Sequence, residues 1–596
     1  MLSPASKDFQ TYYTDLSAIT DQGALHEQAT RFAFSKLLDS AAKPRGWTVL
    51  LEHKLDGSLN RPDATLQDEF KIPRGYWEAK DTGDDLDAEI QKKIARKYPL
   101  TNIIFEDTRR AVLYQNGKVV LDANIREPAQ LADLLGRFLS HTDEHIEEFH
   151  KAVAQFKEDI PNLAGGLQTL IDGARLGDPT FAAAFDAFHT LCKEALNPQI
   201  RADVIEEMLV QHLLTERLFR TVLGNSEFSK RNIIAGEIEK VIDALTSQAF
   251  SRQDFLKRLD YFYVAIEAEA RTITTYAEKQ GFLNTVYERF FQGFSRNQAD
   301  THGIVYTPQP IVDFMCESVE HVLKTEFGLS LSDKGVAILD PCTGTGNFLV
   351  NIVRRLSHQN LRHKYQHELF ANEVMLLPYY IASLNIEHAY FEKMGHYLPF
   401  DGICFTDTLD LAEAAQTTLS IFNPENTERV QREKDAAITV IIGNPPYNVG
   451  QQNENDNNKN RKYPEVDSRI RATYAKDSKA TNKNALNDAY VKFFRWATDR
   501  LGDRDGVICF VTNNSFADQI AFDGMRKHLL QDFTQIYHLD LHGNVRKNPK
   551  LSGTMHNVFG IQVGVGVTVA VRKAGAEKFL KYYRVPENWT RLSKTC

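Results

Sequence analysis

Val336-Ala337-Ile338-Leu339-Asp340-Pro341-Cys342-Thr343-Gly344-Thr345-Gly346-Asn347-Phe348 is the stretch on which the reading of this chain turns. The apolar run Val336 to Leu339 suits a strand covered on both faces, and Phe348 to Arg355 reads as the helix that follows it. Between them, glycines at a tight strand-to-helix turn let a ligand approach the backbone closely. Working outward, further short apolar strands are expected at Glu368 to Glu373, Ala437 to Ile442, Val507 to Thr512 and Ile536 to Leu541, with helical stretches between them. Strands that alternate with helices predict an α/β domain over 286–596 with a Rossmann-like, doubly wound sheet.

Open sheets of this kind bind ligands at the carboxyl ends of their strands. A GxG on its own also occurs in plain tight turns; here it stands at such a strand end. Glu373 closes the next strand and is placed to accept ribose hydroxyls. There is no third glycine and no lysine of a phosphate-binding loop. The expected ligand is therefore a nucleoside without a polyphosphate, which suits S-adenosylmethionine.

A sharper signal is Asn444-Pro445-Pro446-Tyr447, directly after the strand-like run Ile438 to Gly443. The amino group of a nucleobase is a poor nucleophile because its lone pair is delocalised into the ring. Two acceptors that hold its hydrogens let the lone pair localise. The Asn444 side-chain oxygen and the Pro445 carbonyl are such a pair, and the prolines stiffen the loop so that both converge. Tyr447 offers a face on which an extruded base can stack. The bland alternative is a proline-rich turn capping a strand, and the position at a strand's carboxyl end argues against it.

With these residues in view, 285–572 resembles the gamma class of amino-methyltransferases that act on DNA adenine. Gly303-Ile304-Val305-Tyr306-Thr307-Pro308 resembles the cofactor motif that opens that class, and the run Asp340 to Phe348 resembles its first glycine-rich motif. Glu373 and Asp407-Thr408-Leu409 match the next two cofactor motifs. The resemblance implies that Tyr306, Thr307 and the loop Asp340, Pro341, Thr343, Gly344, Gly346 and Phe348 hold the methionine end. It further implies that Glu373 holds the ribose and Asp407 the adenine. An NPPY rather than an SPPY sequence favours adenine over cytosine. Asp488 to Leu501, Gly506 to Phe516, Asp540 to Asn544 and Asn557 to Val571 resemble one branch in particular, the large single-chain restriction–modification enzymes of types IIG and ISP. The polar stretch Gln451 to Ala485 shares the character of their long loop, with eight Lys or Arg against five acids. It reads either as a solvated, disordered loop or as a segment that folds over DNA.

The first half carries a second pattern. Pro62-Asp63 is followed, fourteen residues between, by Glu78-Ala79-Lys80. Helix is expected at Leu25 to Leu38 and Asp85 to Lys97. Strands are expected at Thr48 to Leu55 and Gly75 to Lys80, and a strand pair at Ile103 to Leu121 turning at Asn116-Gly117. Two carboxylates on adjacent strands suit a hard divalent cation such as Mg2+, which polarises a phosphate and acidifies an attacking water. Lys80 would orient that water. Residues 1–145 thus resemble a PD-(D/E)xK nuclease, a restriction-endonuclease-like α/β domain, with Asp63 and Glu78 on the metal and Glu27 as a third acid. Gln91 on the following helix matches the Mrr-like branch. Acid–spacer–ExK patterns are common in surface strands, so an inert N-terminal domain stays open as the alternative.

Residues 146–285 are helical in period, as in Ile200 to Leu223 and Ile234 to Ala244, and read as a connector without concentrated chemistry. The 596 residues suffice for three or four domains, and 42% hydrophobic with 25% charged residues is a globular balance. No leader segment or bilayer-length apolar run is seen, so a cytoplasmic protein is expected. Six cysteines (Cys192, Cys316, Cys342, Cys404, Cys509, Cys596) contain no CxxC pair, which excludes an obvious zinc or iron–sulfur site. The net charge of -9 requires that any surface for double-stranded DNA be a local basic patch. In the gamma class the domain that reads sequence follows the catalytic motifs. About 25 residues after the last strand cannot form one, so a longer chain or another subunit is expected to supply it. A DNA-binding remnant without catalysis is the remaining alternative, against which the intact Asn444 to Tyr447 run argues.

Overall fold

The computed structural model describes residues 4–21, 27–51, 62–70, 72–142, 144–196, 200–222, 231–246, 251–252, 257, 259–273, 279, 282, 285–286, 307–412, 424–447, 462–543, 557–559, 561 and 563–586. They form two compact units. One comprises 1–161, 217–226 and 253–293; the other comprises 162–216, 227–252 and 294–596. The helical connector contributes segments to both.

The first unit is built on a six-stranded sheet whose strands lie side by side in chain order. They are β1 (Thr48–Leu51), β2 (Ala64–Gln67), β3 (Pro73–Ala79), β4 (Asn102–Glu106), β5 (Arg110–Gln115) and β6 (Lys118–Asn124). Only β3 and β4 run parallel, joined across the helix Leu86–Ala95. Alternation along β4 serves both faces of the sheet. Ile104 joins Phe34, Trp77, Leu113, Leu134 and Phe138 under the terminal helices, and Ile103 and Phe105 pack with Leu86 and Ile90 of the crossover helix. Asn116 and Gly117, with φ of 49° and 76°, make the expected turn between β5 and β6. The stretch Ile103 to Leu121 nevertheless holds three strands rather than two. Asp107 makes the additional turn, its Oδ1 accepting the Arg109 and Arg110 N–H groups at 2.9 and 2.7 Å. No glycine or proline marks that turn; an aspartate side chain builds it. Of the expected strand Thr48 to Leu55, residues 52–55 lie outside the described residues.

The second unit holds an eight-stranded sheet. Its strands are β7 (Ala337–Asp340), β8 (Leu369–Glu373), β9 (Ile403–Phe405), β10 (Ile438–Gly443), β11 (Gly506–Asn513), β12 (Gln535–Asp540), β13 (Val565–Arg572) and β14 (Phe579–Arg584). The spatial order is β14-β12-β13-β11-β10-β7-β8-β9, with β13 antiparallel to both neighbours and every other pair parallel. Strands β7, β8, β9 and β11 are buried along their whole length, as a sheet covered on both faces requires. From β7 the chain runs outward to β8 and β9, then returns to β10 on the other side of β7. The carboxyl ends of β7 and β10 therefore flank the point where strand order reverses, the place where open α/β sheets bind ligands.

The stretch 451–485 departs from the expected loop. Residues 451–461 lie outside the described residues, but Pro464–Ile470 is a helix that continues into a wider turn, Arg471–Ala475. Val466, Ile470 and Tyr474 are buried, four residues apart, on one face. Three apolar positions in a polar stretch sufficed, with Pro464 starting the helix. Among the described residues no helix is long and apolar enough to cross a membrane, and the cysteines other than Cys596 are free.

Candidate active sites

In the second unit, Asp340 ends β7 and is fully buried. Its Oδ1 accepts the Cys342 N–H at 3.2 Å, while its Oδ2 is buried without a hydrogen-bond partner. Burial pushes its carboxyl up to about 8. Glu373 ends β8, and its carboxylate accepts three backbone N–H groups, from Gly344 (2.7 Å), Val374 (3.0 Å) and Met375 (2.8 Å). Burial outweighs these donors and pushes it up to about 7. Gly346 takes φ 88°, and a Cβ there would stand 3.1 Å from the Ala382 backbone of the helix Leu376–Met394. The loop can thus lie flat on that helix only with glycine at this position. Thr343 turns its hydroxyl back on the Asp340 carbonyl (3.1 Å), and Phe348 is buried. These two residues, like Pro341, whose carbonyl takes the Thr408 hydroxyl at 2.5 Å, shape the loop from behind. An orphaned acceptor beside a glycine cradle and a second buried acid fits a cationic nucleoside such as S-adenosylmethionine.

Asn444 follows β10. Its Nδ2 donates to Thr307 Oγ1 at 3.0 Å, joining two motifs 137 positions apart. Tyr306 lies outside the described residues. Tyr447 stands edge-on to Phe559, with ring centroids 6.5 Å apart, and its buried hydroxyl has no hydrogen-bond partner. Phe559 escaped the sequence reading because nothing local distinguishes it from a core phenylalanine. Asp407 sits in a turn after β9. Its Oδ1 accepts Leu409 N–H at 3.0 Å, and its Oδ2 accepts the Tyr463 hydroxyl at 2.8 Å. Tyr463 was likewise invisible to the sequence.

In the first unit the structure brings Asp63, Glu78 and Lys80 together. Asp63 precedes β2 where it pairs with β3, and its Oδ2 accepts the Ala79 N–H at 2.7 Å. Lys80 Nζ donates to Glu78 Oε1 at 2.8 Å, and Lys93 pairs with the same oxygen. Glu78 Oε2 is buried without a hydrogen-bond partner, and Arg31 pairs with Asp63. Gln91 is exposed on the helix Leu86–Ala95, and it is Lys93 of that helix that reaches Glu78. Glu27 opens the helix Glu27–Ala42, and its side chain lies outside the described residues. Among the described residues no three acids, histidines or cysteines converge as a metal-binding group. The orphaned Glu78 oxygen beside Asp63 still fits a cation that keeps most of its waters.

Residues 142–278 match the family model of the type ISP restriction–modification enzyme coupler domain, and 278–531 match that of N-6 DNA methylase. Among solved structures, a DrdV–DNA complex determined by cryoEM is 40% identical with a TM-score of 0.71, covering 99% of this chain and 58% of that one. The ATP-dependent type ISP restriction–modification enzyme LlaBIII bound to DNA is 33% identical with a TM-score of 0.70, covering 78% and 31%. A nuclease-deletion mutant of the type ISP enzyme LlaGI with a DNA substrate mimic is 29% identical with a TM-score of 0.69, covering 87% and 43%. No curated protein matches. The chain spans between 31% and 58% of the length of these three. It carries a type ISP coupler domain followed by an N-6 DNA methylase domain on a Rossmann-like sheet.

Proposed function

We propose that this chain, with its type ISP coupler joined to an N-6 DNA methylase domain, transfers a methyl group from S-adenosylmethionine to the N6 amino group of an adenine extruded from double-stranded DNA. The observation that carries this reading is the meeting of two strand ends at the reversal point of the sheet. Asp340 with its orphaned oxygen closes β7, and Asn444 follows β10 beside it. The bound cofactor supplies the electrophilic methyl group. Asp340 and Glu373 hold its amino-acid and ribose ends. The Thr307 contact engages the Asn444 amide through its nitrogen, which supports a role for the amide oxygen, with the Pro445 carbonyl, as acceptor of the two hydrogens of the base. Tyr447 and Phe559 offer aromatic surface to the extruded ring. Incubating the chain with duplex DNA and labelled cofactor, then separating the nucleosides, tests this. N6-methyladenine is the expected product; label in cytosine alone, or none, would refute the reading.

The N-terminal domain is proposed as a Mg2+-dependent endonuclease. Asp63 and Glu78 would hold the cation, and Lys80, joined by Lys93, would meet the scissile phosphate and its attacking water. The cation supplies charge at the phosphate and an acidified water when bound. A second reading, a domain that binds DNA without cutting, draws support from Arg31, whose guanidinium pairs with Asp63 where a cation would be held.

A further inference from the structure

The turn that carries Asp407 is held from an unexpected side. Thr406 Oγ1 donates to the carbonyl of Ala195 at 2.9 Å, and Asp407 N–H is directed at the same carbonyl at 3.3 Å. Ala195 is the last residue of the helix Pro179–Ala195, 211 positions earlier, in the coupler. The last carbonyls of a helix have no partner within it and carry the negative end of its dipole, so they are ready acceptors for such a turn. The opposite side of the turn is tied to the methylase domain, through the Thr408 hydroxyl on the Pro341 carbonyl.

A second tie between coupler and cofactor cradle is independent of the first. Fully buried His212, on the helix Ala202–Val222, has Nδ1 3.0 Å from the Tyr380 hydroxyl and Nε2 2.8 Å from Glu239 Oε1. Arg252 donates to the other oxygen of Glu239 at 2.8 Å. Tyr380 lies on the helix Leu376–Met394, which starts just after Glu373 and carries Ala382 against Gly346. A buried polar chain of this kind is costly unless every member is satisfied, so it fixes the helix in one place.

We infer that the coupler is a working part of the cofactor site: through the Ala195 carbonyl, Thr406 positions Asp407 for the adenine amino group of S-adenosylmethionine. The inference rests on the reading of Asp407 as the acid that meets that adenine. Asp407 accepts from the amino group at the adenine 6-position; an inosine ring has a carbonyl there and offers no such donor. The geometry of the turn, and with it the preference for adenine, is set by a residue pair that spans coupler and methylase. Thr406 is a positioning residue: it touches no ligand itself.

Calorimetric titration of the full chain with S-adenosylhomocysteine and with its inosine counterpart tests this. Wild type is expected to prefer the adenosine form. Thr406→Val, which keeps shape and removes the donor, should weaken adenosine binding about threefold to tenfold and leave inosine binding unchanged. Thr406→Ser should restore the preference. Asp407→Ala, which removes the acceptor, should abolish it. If Asp407→Ala leaves the preference intact, the reading of Asp407 fails and the inference falls with it. If Asp407→Ala removes the preference but Thr406→Val binds as wild type, or loses both ligands equally, the inference alone is overturned.

Discussion

Gly443 and Asp340, at the ends of neighbouring strands, stand so close that a Cβ on Gly443 would lie 2.9 Å from Asp340 Oδ1 and 3.2 Å from Cys342 Sγ. The residue before Asn444 thereby fixes how near the proposed amino-group site comes to the proposed cofactor cradle. Gly443→Ala must push the Asp340 loop aside. A cost of about 1–3 kcal/mol is expected, felt in both stability and cofactor affinity. Thermal unfolding with and without S-adenosylmethionine measures it. Unchanged affinity would mean that Asp340 does not meet the cofactor.

The pH dependence of binding follows from the two buried acids. Asp340 is raised to about 8 and Glu373 to about 7, both by burial. A carboxyl raised on folding holds its proton in the native state. The free protein therefore loses stability as pH climbs from the usual carboxylate range towards these values. Binding to a sulfonium cation and to hydroxyl or amino donors requires the charged forms. Affinity for S-adenosylmethionine should rise between about pH 6 and pH 8, by up to roughly tenfold per unit for each acid still protonated, with protons released on binding. Calorimetry in buffers of different ionisation enthalpy reads that release directly. Asp340→Asn should remove the upper part of the rise and leave the part due to Glu373 near pH 7; a flat profile in wild type contradicts the assignment.

For the N-terminal domain, Lys80→Ala should remove magnesium-dependent nicking of plasmid DNA and leave methylation intact. Lys93→Ala should lower nicking as well, since both lysines share Glu78 Oε1. Either change leaves a buried carboxylate with one cation fewer, on the order of 1–3 kcal/mol in stability. Wild type that never nicks DNA with magnesium would favour the non-cutting reading supported by Arg31.

Much of this site was legible because its chemistry is strung along the chain. Asn444 to Tyr447 supplies two acceptors and an aromatic face in four consecutive residues, and the strands β7, β8 and β10 announce themselves as apolar runs because both faces are covered. What stayed hidden are contacts between distant positions. Thr307 reaches Asn444 across 137 positions, Thr406 reaches Ala195 across 211, and Tyr463 reaches Asp407 across 56. No spacing or residue type signals such pairs, because the sheet brings them together only after it has formed. The helix Pro464–Ile470 was hidden for a different reason: its buried stripe of three residues is too narrow to show within a polar stretch. The extra turn at Asp107 was hidden because a side chain, rather than a glycine, makes it.

Asn444→Ala, assayed for single-turnover methylation of duplex DNA alongside calorimetric binding of S-adenosylmethionine, separates the chemical step from cofactor binding. Asn444 is assigned to the amino group of the base and not to the cofactor. Methyl transfer is expected to fall by a factor of about 10² or more, as for removal of a donor or acceptor aimed at the reacting group, with cofactor affinity near that of wild type. Methylation at the wild-type rate would contradict the assignment of Asn444.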